Sequence, residues 1–183
     1  MSALSSSLVF LIQTLGGLYI MAVLLRFLLQ LVKADFYNPI SQAIVKVTSP
    51  LLNPLRKVIP GVGGLDLASL TLALILQILL VYVLFMVQGF SVAAIPLPQV
   101  LIVSLKELVN ELLNIYMFSL IIIAIASWVA AGSYNPGLML LHQLTEPLSS
   151  RIRKVIPPLG GLDFSLMVLV LVIITLKNFV AAL

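Results

Sequence analysis

Tyr37-Asn38-Pro39 opens a stretch that closes with Arg56-Lys57-Val58-Ile59-Pro60-Gly61-Val62-Gly63-Gly64-Leu65-Asp66. The same stretch returns 97 positions later, as Tyr134-Asn135-Pro136 and then Arg153-Lys154-Val155-Ile156-Pro157 leading to Gly160-Gly161-Leu162-Asp163. No gap is needed between Tyr37 and Asp66, and half of the positions are identical. Two copies this alike imply two units built the same way.

Each copy is flanked by apolar runs. In the first unit, residues 1–97, these are about 8–32 and about 67–90. In the second, residues 98–183, they are about 112–131 and about 164–183. Each reaches the roughly 20 residues needed to cross a hydrocarbon core. Between the runs lie the segments 38–58 and 135–155, which carry most of the charge. The expected fold is an all-α membrane protein. Its four transmembrane helices form two parallel tandem repeats, each with an interfacial amphipathic helix between its two spans.

Composition agrees. Of the 183 residues, 62% are hydrophobic and only 9% charged, with a mean hydropathy of +1.23. A soluble domain carries about a quarter charged residues, so the bilayer is the expected solvent. The absence of cysteine excludes a disulfide framework, a thiolate metal site and thiol catalysis. Net charge is +4, which in this setting points to loops facing anionic lipid rather than to direct nucleic-acid binding. The N-terminus lacks the basic region of a secretory signal, so the first apolar run is expected to stay as a helix.

Charge placement orients the spans. The first connection holds Lys33, Lys46, Arg56 and Lys57, and the third holds Arg151, Arg153 and Lys154. The second is nearly neutral until Lys106, which Glu107 and Glu111 offset. The positive-inside rule therefore puts the two basic connections in the cytoplasm and both termini outside. Two spans separate the unit starts, so the units share one orientation, unlike the inverted repeats of many transporters.

Within 38–58, Ile40, Ala43, Ile44, Val47, Leu51, Leu55 and Val58 recur at helical spacing and form one apolar face. Pro50 and Pro54 predict a kink or restart, with Ser49-Pro50 and Asn53-Pro54 read as an N-cap followed by a first-turn proline. Such an element either lies in the membrane interface or packs on its own protein, and the two are compatible. Gly63-Gly64 and Gly160-Gly161 suit a sharp turn back into the membrane. Asp66 and Asp163 then stand where the next helices begin, as caps or, alternatively, as contacts for a cation. The capping reading makes Asp66→Asn mild and Asp66→Ala a loss of about 1 kcal/mol.

The doubled pattern Asn-Pro, Thr-x-Pro-Leu, Arg-Lys-Val-Ile-Pro, Gly-Gly-Leu-Asp resembles the YggT family of bacterial membrane proteins, called YlmG in Gram-positive bacteria and plastids. The resemblance covers almost the whole chain. It implies a multi-pass protein of the bacterial inner membrane with two YGGT repeats. Family roles run from osmotic stress tolerance and potassium uptake through cell division or nucleoid organisation to cytochrome assembly in plastids. These differ in class, so the resemblance implies fold and location more than mechanism.

The two halves also differ. Asn53-Pro54 becomes Ser150-Arg151, Lys46 becomes Gln143, and Arg26 becomes Ile123. Arg26 sits about 10 Å from Lys33 along a helix, deep enough either to snorkel to the interface or to line a wet cavity. Lys177 has the same ambiguity. Glu107, Asn110, Glu111 and Asn114 form a polar stripe leading into the third span, read as a solvated helix start or as a vestibule for cations. Gln13 and Thr14 mark a helix contact or polar path in the first span, beside Gly16 and Gly17, which permit close packing. Arg26 and Glu111 are the candidates for a polar path.

His142 is the only histidine, with Glu146 four residues on, and no P-loop, zincin, nucleophile-elbow or potassium-filter pattern accompanies it. The expectation is a protein that is not an enzyme and has no cofactor or bound metal. It would be a scaffold or assembly protein binding anionic lipid or a cytoplasmic partner through Arg56, Lys57, Arg153 and Lys154. Membrane lipids, other membrane or cell-division proteins and further copies of the chain are the compatible partners. The alternative is an ion-transport component or accessory factor in potassium or osmotic homeostasis. Four spans leave little room for a gated path in one monomer, so transport would favour an oligomer.

Overall fold

The computed structural model describes residues 3–91, 96–129, 135–156 and 163–183. Among these described residues six helices follow in order: α1 (Ala3–Leu31), α2 (Pro39–Val58), α3 (Leu67–Val87), α4 (Leu97–Val129), α5 (Pro136–Arg153) and α6 (Phe164–Ala182). Four of them, α1, α3, α4 and α6, are long and apolar enough to cross a membrane. At 1.5 Å per residue α3 and α6 match a hydrocarbon core of about 30 Å, whereas α1 and α4 run to about 43 and 50 Å.

α4 is thus longer than the apolar run of the third span. The helix that holds it starts at Leu97, ahead of the apolar run from about residue 112, so Lys106, Glu107 and Glu111 lie inside one continuous helix. Val100, Ser104 and Leu108 recur every fourth residue on the buried face, and that packing carries the helix through the polar stretch. At the other end of the first repeat, α3 stops at Val87 because Gly89 takes a φ of +87°. Gly89 N–H donates to Met86 O and Phe90 N–H to Phe85 O, the paired bonds of a Schellman ending, and the Phe85 and Phe90 rings meet edge to face at 5.8 Å.

Both repeats use the same pairings. The spans pack as α1 on α3 and as α4 on α6. Each amphipathic helix, α2 or α5, lies against both spans of its own repeat. The repeats join mainly through α3 and α4, with smaller contacts of α1 and α2 on the second repeat. The two amphipathic helices sit at one end of the bundle, which makes the repeats parallel. Asn38 Nδ2 donates to Pro136 O at 2.8 Å, and Gln143 Oε1 accepts from Asp35 N at 2.9 Å. Ile40 and Gly137, which are equivalent positions, meet there: a Cβ on Gly137 would lie 3.2 Å from Ile40 Cδ1. Equivalent residues touch only near a two-fold axis, and any side chain at position 137 would require the end of Ile40 to give way slightly.

α2 is one helix through Pro50 and Pro54, not a helix that restarts. Each proline removes a single intrahelical bond. The Ser49 hydroxyl does not cap a new helix; it donates back to Val45 O at 2.6 Å, as Thr48 does to Ile44 O at 2.7 Å. Its buried face carries Ser41, Thr48 and Leu52. The apolar Ile40, Val47, Leu51 and Val58 are exposed, so most of the apolar face points away from the bundle.

Candidate functional site

Near the starts of α3 and α6, where the amphipathic helices end, the two repeats hold different charged groups. In the first repeat two arginines cross between α1 and α2. Arg26, on α1 and 5% exposed, donates through Nη1 to Thr48 Oγ1 at 2.8 Å, Ser49 Oγ at 3.1 Å and Val45 O at 3.2 Å. Arg56, on α2, donates through Nη2 to Gln30 Oε1 of α1 at 2.9 Å and forms an ion pair with Asp66. Arg26 thus turns onto α2, where two hydroxyls and a carbonyl partner its Nη1 without an acid.

Asp66 is the N-cap of α3, accepting from Ser69 N at 3.3 Å and from the Ser69 hydroxyl. Val62 and Leu65 exchange both backbone hydrogen bonds across Gly63 and Gly64, whose φ values of +61° and +87° make this a tight hairpin turn. That turn swings Asp66 back onto Arg56 ten residues earlier. Burial pushes the Asp66 carboxyl up, but the hydrogen bonds from Arg56 and Ser69 outweigh it and hold it below the ordinary carboxylate range. Gly160 and Gly161, the equivalent turn, lie outside the described residues.

The second repeat keeps the frame and exchanges the charges. Asp163 caps α6 through Ser165 N at 3.0 Å, and Arg153 Nε donates to it at 2.8 Å. Burial raises the Asp163 carboxyl, and Ser165 and Arg153 together reverse the sign. Position 123 is isoleucine where the first repeat has Arg26, and position 146 is glutamate where it has Ser49. Glu146 reaches Arg153 Nη1 at 3.1 Å. Burial lowers the Arg153 guanidinium and its two carboxylates raise it further, so it stays charged. The first cluster thus holds two guanidiniums and one carboxylate, the second one guanidinium and two carboxylates. Their net charges are opposite.

The family model described as CCB3/YggT matches residues 5–87 and 102–183. The chain belongs to this family. It is 42% identical over 176 residues to the YggT protein of Escherichia coli K12, covering 96% of this chain and 90% of that one. It is 51% identical over 165 residues to an uncharacterised Pseudomonas aeruginosa protein, covering 90% and 83%. A Vibrio alginolyticus relative is 44% identical over 164 residues, covering 90% and 88%. No solved structure matches the chain.

In this CCB3/YggT protein the four basic candidates divide into two kinds. Arg56 and Arg153 are tied to Asp66 and Asp163, whereas Lys57 and Lys154 are exposed and make no ion pair among the described residues. The other candidates are elsewhere. Lys177 donates to Asn114 Oδ1, and Asn114 Nδ2 to Glu111 Oε2 at 3.4 Å, at the end of the bundle far from the two clusters. Glu111 and Arg26 are therefore not brought together. Gln30, Thr48, Ser69, Ser165 and Glu146 were not singled out by the sequence reading as parts of the clusters. The exchange of Ser49 for Glu146, opposite to that of Arg26 for Ile123, is the one sequence signal that could have found Glu146; the others have none.

Proposed function

We propose that this CCB3/YggT chain is a non-enzymatic inner-membrane scaffold or assembly protein, with both termini outside the cytoplasm. It engages anionic lipid or a cytoplasmic partner through the basic interfacial segments of its repeats. The observation that carries this reading is the outward face of α2. Ile40, Val47, Leu51 and Val58 are exposed there beside exposed Lys46 and Lys57. An apolar stripe flanked by lysines is the pattern of a helix lying at headgroup height. Each basic group near an anionic leaflet contributes about 1 kcal/mol, so Lys46, Lys57, Arg151 and Lys154 together make a strong attraction despite screening.

The test leaves the ion-paired arginines in place and replaces Lys46, Lys57, Arg151 and Lys154 by glutamine. Reporter fusions at the C-terminus and near Lys57 check topology; a cytoplasmic C-terminus would overturn the orientation. With topology intact, the variant is expected to lose co-purifying anionic lipid or cytoplasmic partners. Unchanged retention would reduce these residues to orientation signals. A second reading, an ion-transport component, draws on the Lys177–Asn114–Glu111 chain at the far end. Potassium flux in liposomes holding the pure protein tests it directly.

A further inference from the structure

A cavity of about 440 Å³ opens between α4, α5 and α6 in the second repeat. Its wall includes Leu120, Ile123, Ala124 and Val170, and its polar rim is His142, Arg153 and Asp163. The repeat comparison explains why the space exists. Ala124 stands where the first repeat has Phe27, a side chain 7% exposed in the core, and Ile123 stands where it has Arg26. Ser127 replaces Gln30, so the bolt from α1 to Arg56 has no counterpart; the Ser127 hydroxyl instead donates to Ala124 O within its own helix. Two large side chains that tie α1 to α2 are thus missing from the equivalent place in the second repeat.

The cavity is within the range of small-molecule sites, about 300–1,000 Å³. It opens sideways. Ile125 and Met167 on its wall are 53% and 56% exposed, at a depth where a membrane-embedded chain faces hydrocarbon. Its rim lies at the start of α6, at the height of the interface. A lipid chain is the solute present at that opening. The rim also selects a headgroup. Arg153 is already matched by Asp163, and Glu146 beside it leaves one carboxylate in excess. Arg151 and Lys154 on the same helix end add cations, so the rim carries both signs side by side. That arrangement fits a zwitterionic headgroup, with the ammonium at the carboxylates and the phosphate at the cations.

We propose that the second repeat binds one zwitterionic aminophospholipid, of the phosphatidylethanolamine class, with an acyl chain in this cavity and its ammonium against Glu146 and Asp163. The site shares Arg151 and Lys154 with the basic face of the proposed function, but the acyl-chain cavity does not depend on that reading, and the Ala124 and Met167 variants below test the cavity alone. The first repeat, with Arg26 and Phe27 in place, holds no such lipid there.

Native mass spectrometry of the full-length protein in detergent micelles, with equal phosphatidylethanolamine and phosphatidylglycerol, is the test. The wild type is expected to retain one phosphatidylethanolamine over phosphatidylglycerol by about fivefold, the factor that one partly screened interfacial charge supplies. Ala124→Phe restores the residue of the first repeat and should remove that lipid without lowering thermal stability. Met167→Trp blocks the same opening from an exposed position and guards against a folding defect in the first variant. Glu146→Ser should bring the two lipids to near parity while occupancy persists. Retention of phosphatidylethanolamine by both blocking variants at the wild-type level would exclude the cavity. Equal or preferred phosphatidylglycerol in the wild type would overturn the headgroup assignment.

Discussion

The same substitution at the two caps should have unequal costs. Asp66 is 4% exposed, caps α3 and pairs with Arg56, whose side chain is 34% exposed. Asparagine caps a helix about as well as aspartate, so Asp66→Asn keeps the bond from Ser69 N and loses the charge. Breaking a buried pair costs about 3–5 kcal/mol and an exposed one about 0–1. With one partner buried and the other a third exposed, the loss should be about 2 kcal/mol. Asp66→Ala also removes the cap, a further 1 kcal/mol or so. Asp163 is 25% exposed, and Arg153 keeps Glu146 when Asp163 is neutralised. Asp163→Asn should therefore cost under about 1 kcal/mol. The assay is equilibrium unfolding in mixed micelles followed by circular dichroism, with Arg56→Met completing a double-mutant cycle on Asp66. If Asp66→Asn and Asp163→Asn agree within about 0.5 kcal/mol, or the cycle shows no coupling, capping alone explains both aspartates and the ion pair contributes nothing.

Both carboxyls titrate below their ordinary value, so the unfolded chain binds their protons first as pH falls. Their contribution is complete above about pH 4 and is lost as pH drops through the lowered folded values. The melting temperature should hold from pH 8 to 5 and decline below about 4, and the Asp66→Asn/Asp163→Asn double variant should flatten that decline. Arg26→Ile should destabilise by about 1–2 kcal/mol, because three charge-assisted bonds are lost while the Thr48 and Ser49 hydroxyls keep their carbonyl acceptors. Adding Ser49→Glu should recover part of it, since a carboxylate at position 49 can reach Arg56 as Glu146 reaches Arg153; no recovery in thermal melts would argue against the charge exchange. A Cβ at Gly16 would lie 2.8 Å from Leu80 Cδ1, the end of a flexible side chain. Gly16→Ala should thus be tolerated, and Gly16→Val should cost about 1–3 kcal/mol in the same unfolding assay.

Some of this architecture is written in local pattern. Four spans follow from apolar length, and the parallel repeat follows from a motif that recurs at one offset with basic residues in matching connections. Gly63-Gly64 announced the turn and Asp66 and Asp163 the helix starts, because each depends on the backbone within a few residues. The Arg26 pairing with α2 could not be read this way. Whether that arginine turns to the interface, to a cavity or onto Thr48 depends on the rotation of α1 against α2, which no periodicity within either helix sets. The length of α4 was hidden for a related reason: Lys106, Glu107 and Glu111 end the apolar run, but Val100, Ser104 and Leu108 are buried on its other face. The proline-bearing α2 reads as two pieces until neighbouring side chains hold its turns from outside. The cavity of the second repeat is likewise a difference in volume, Phe27 against Ala124, and becomes a space only when three helices close around it. Residue type and spacing determine what each segment can be; which side chains meet across segments is set by packing, where a single side chain's volume or charge decides between a filled core and an open site.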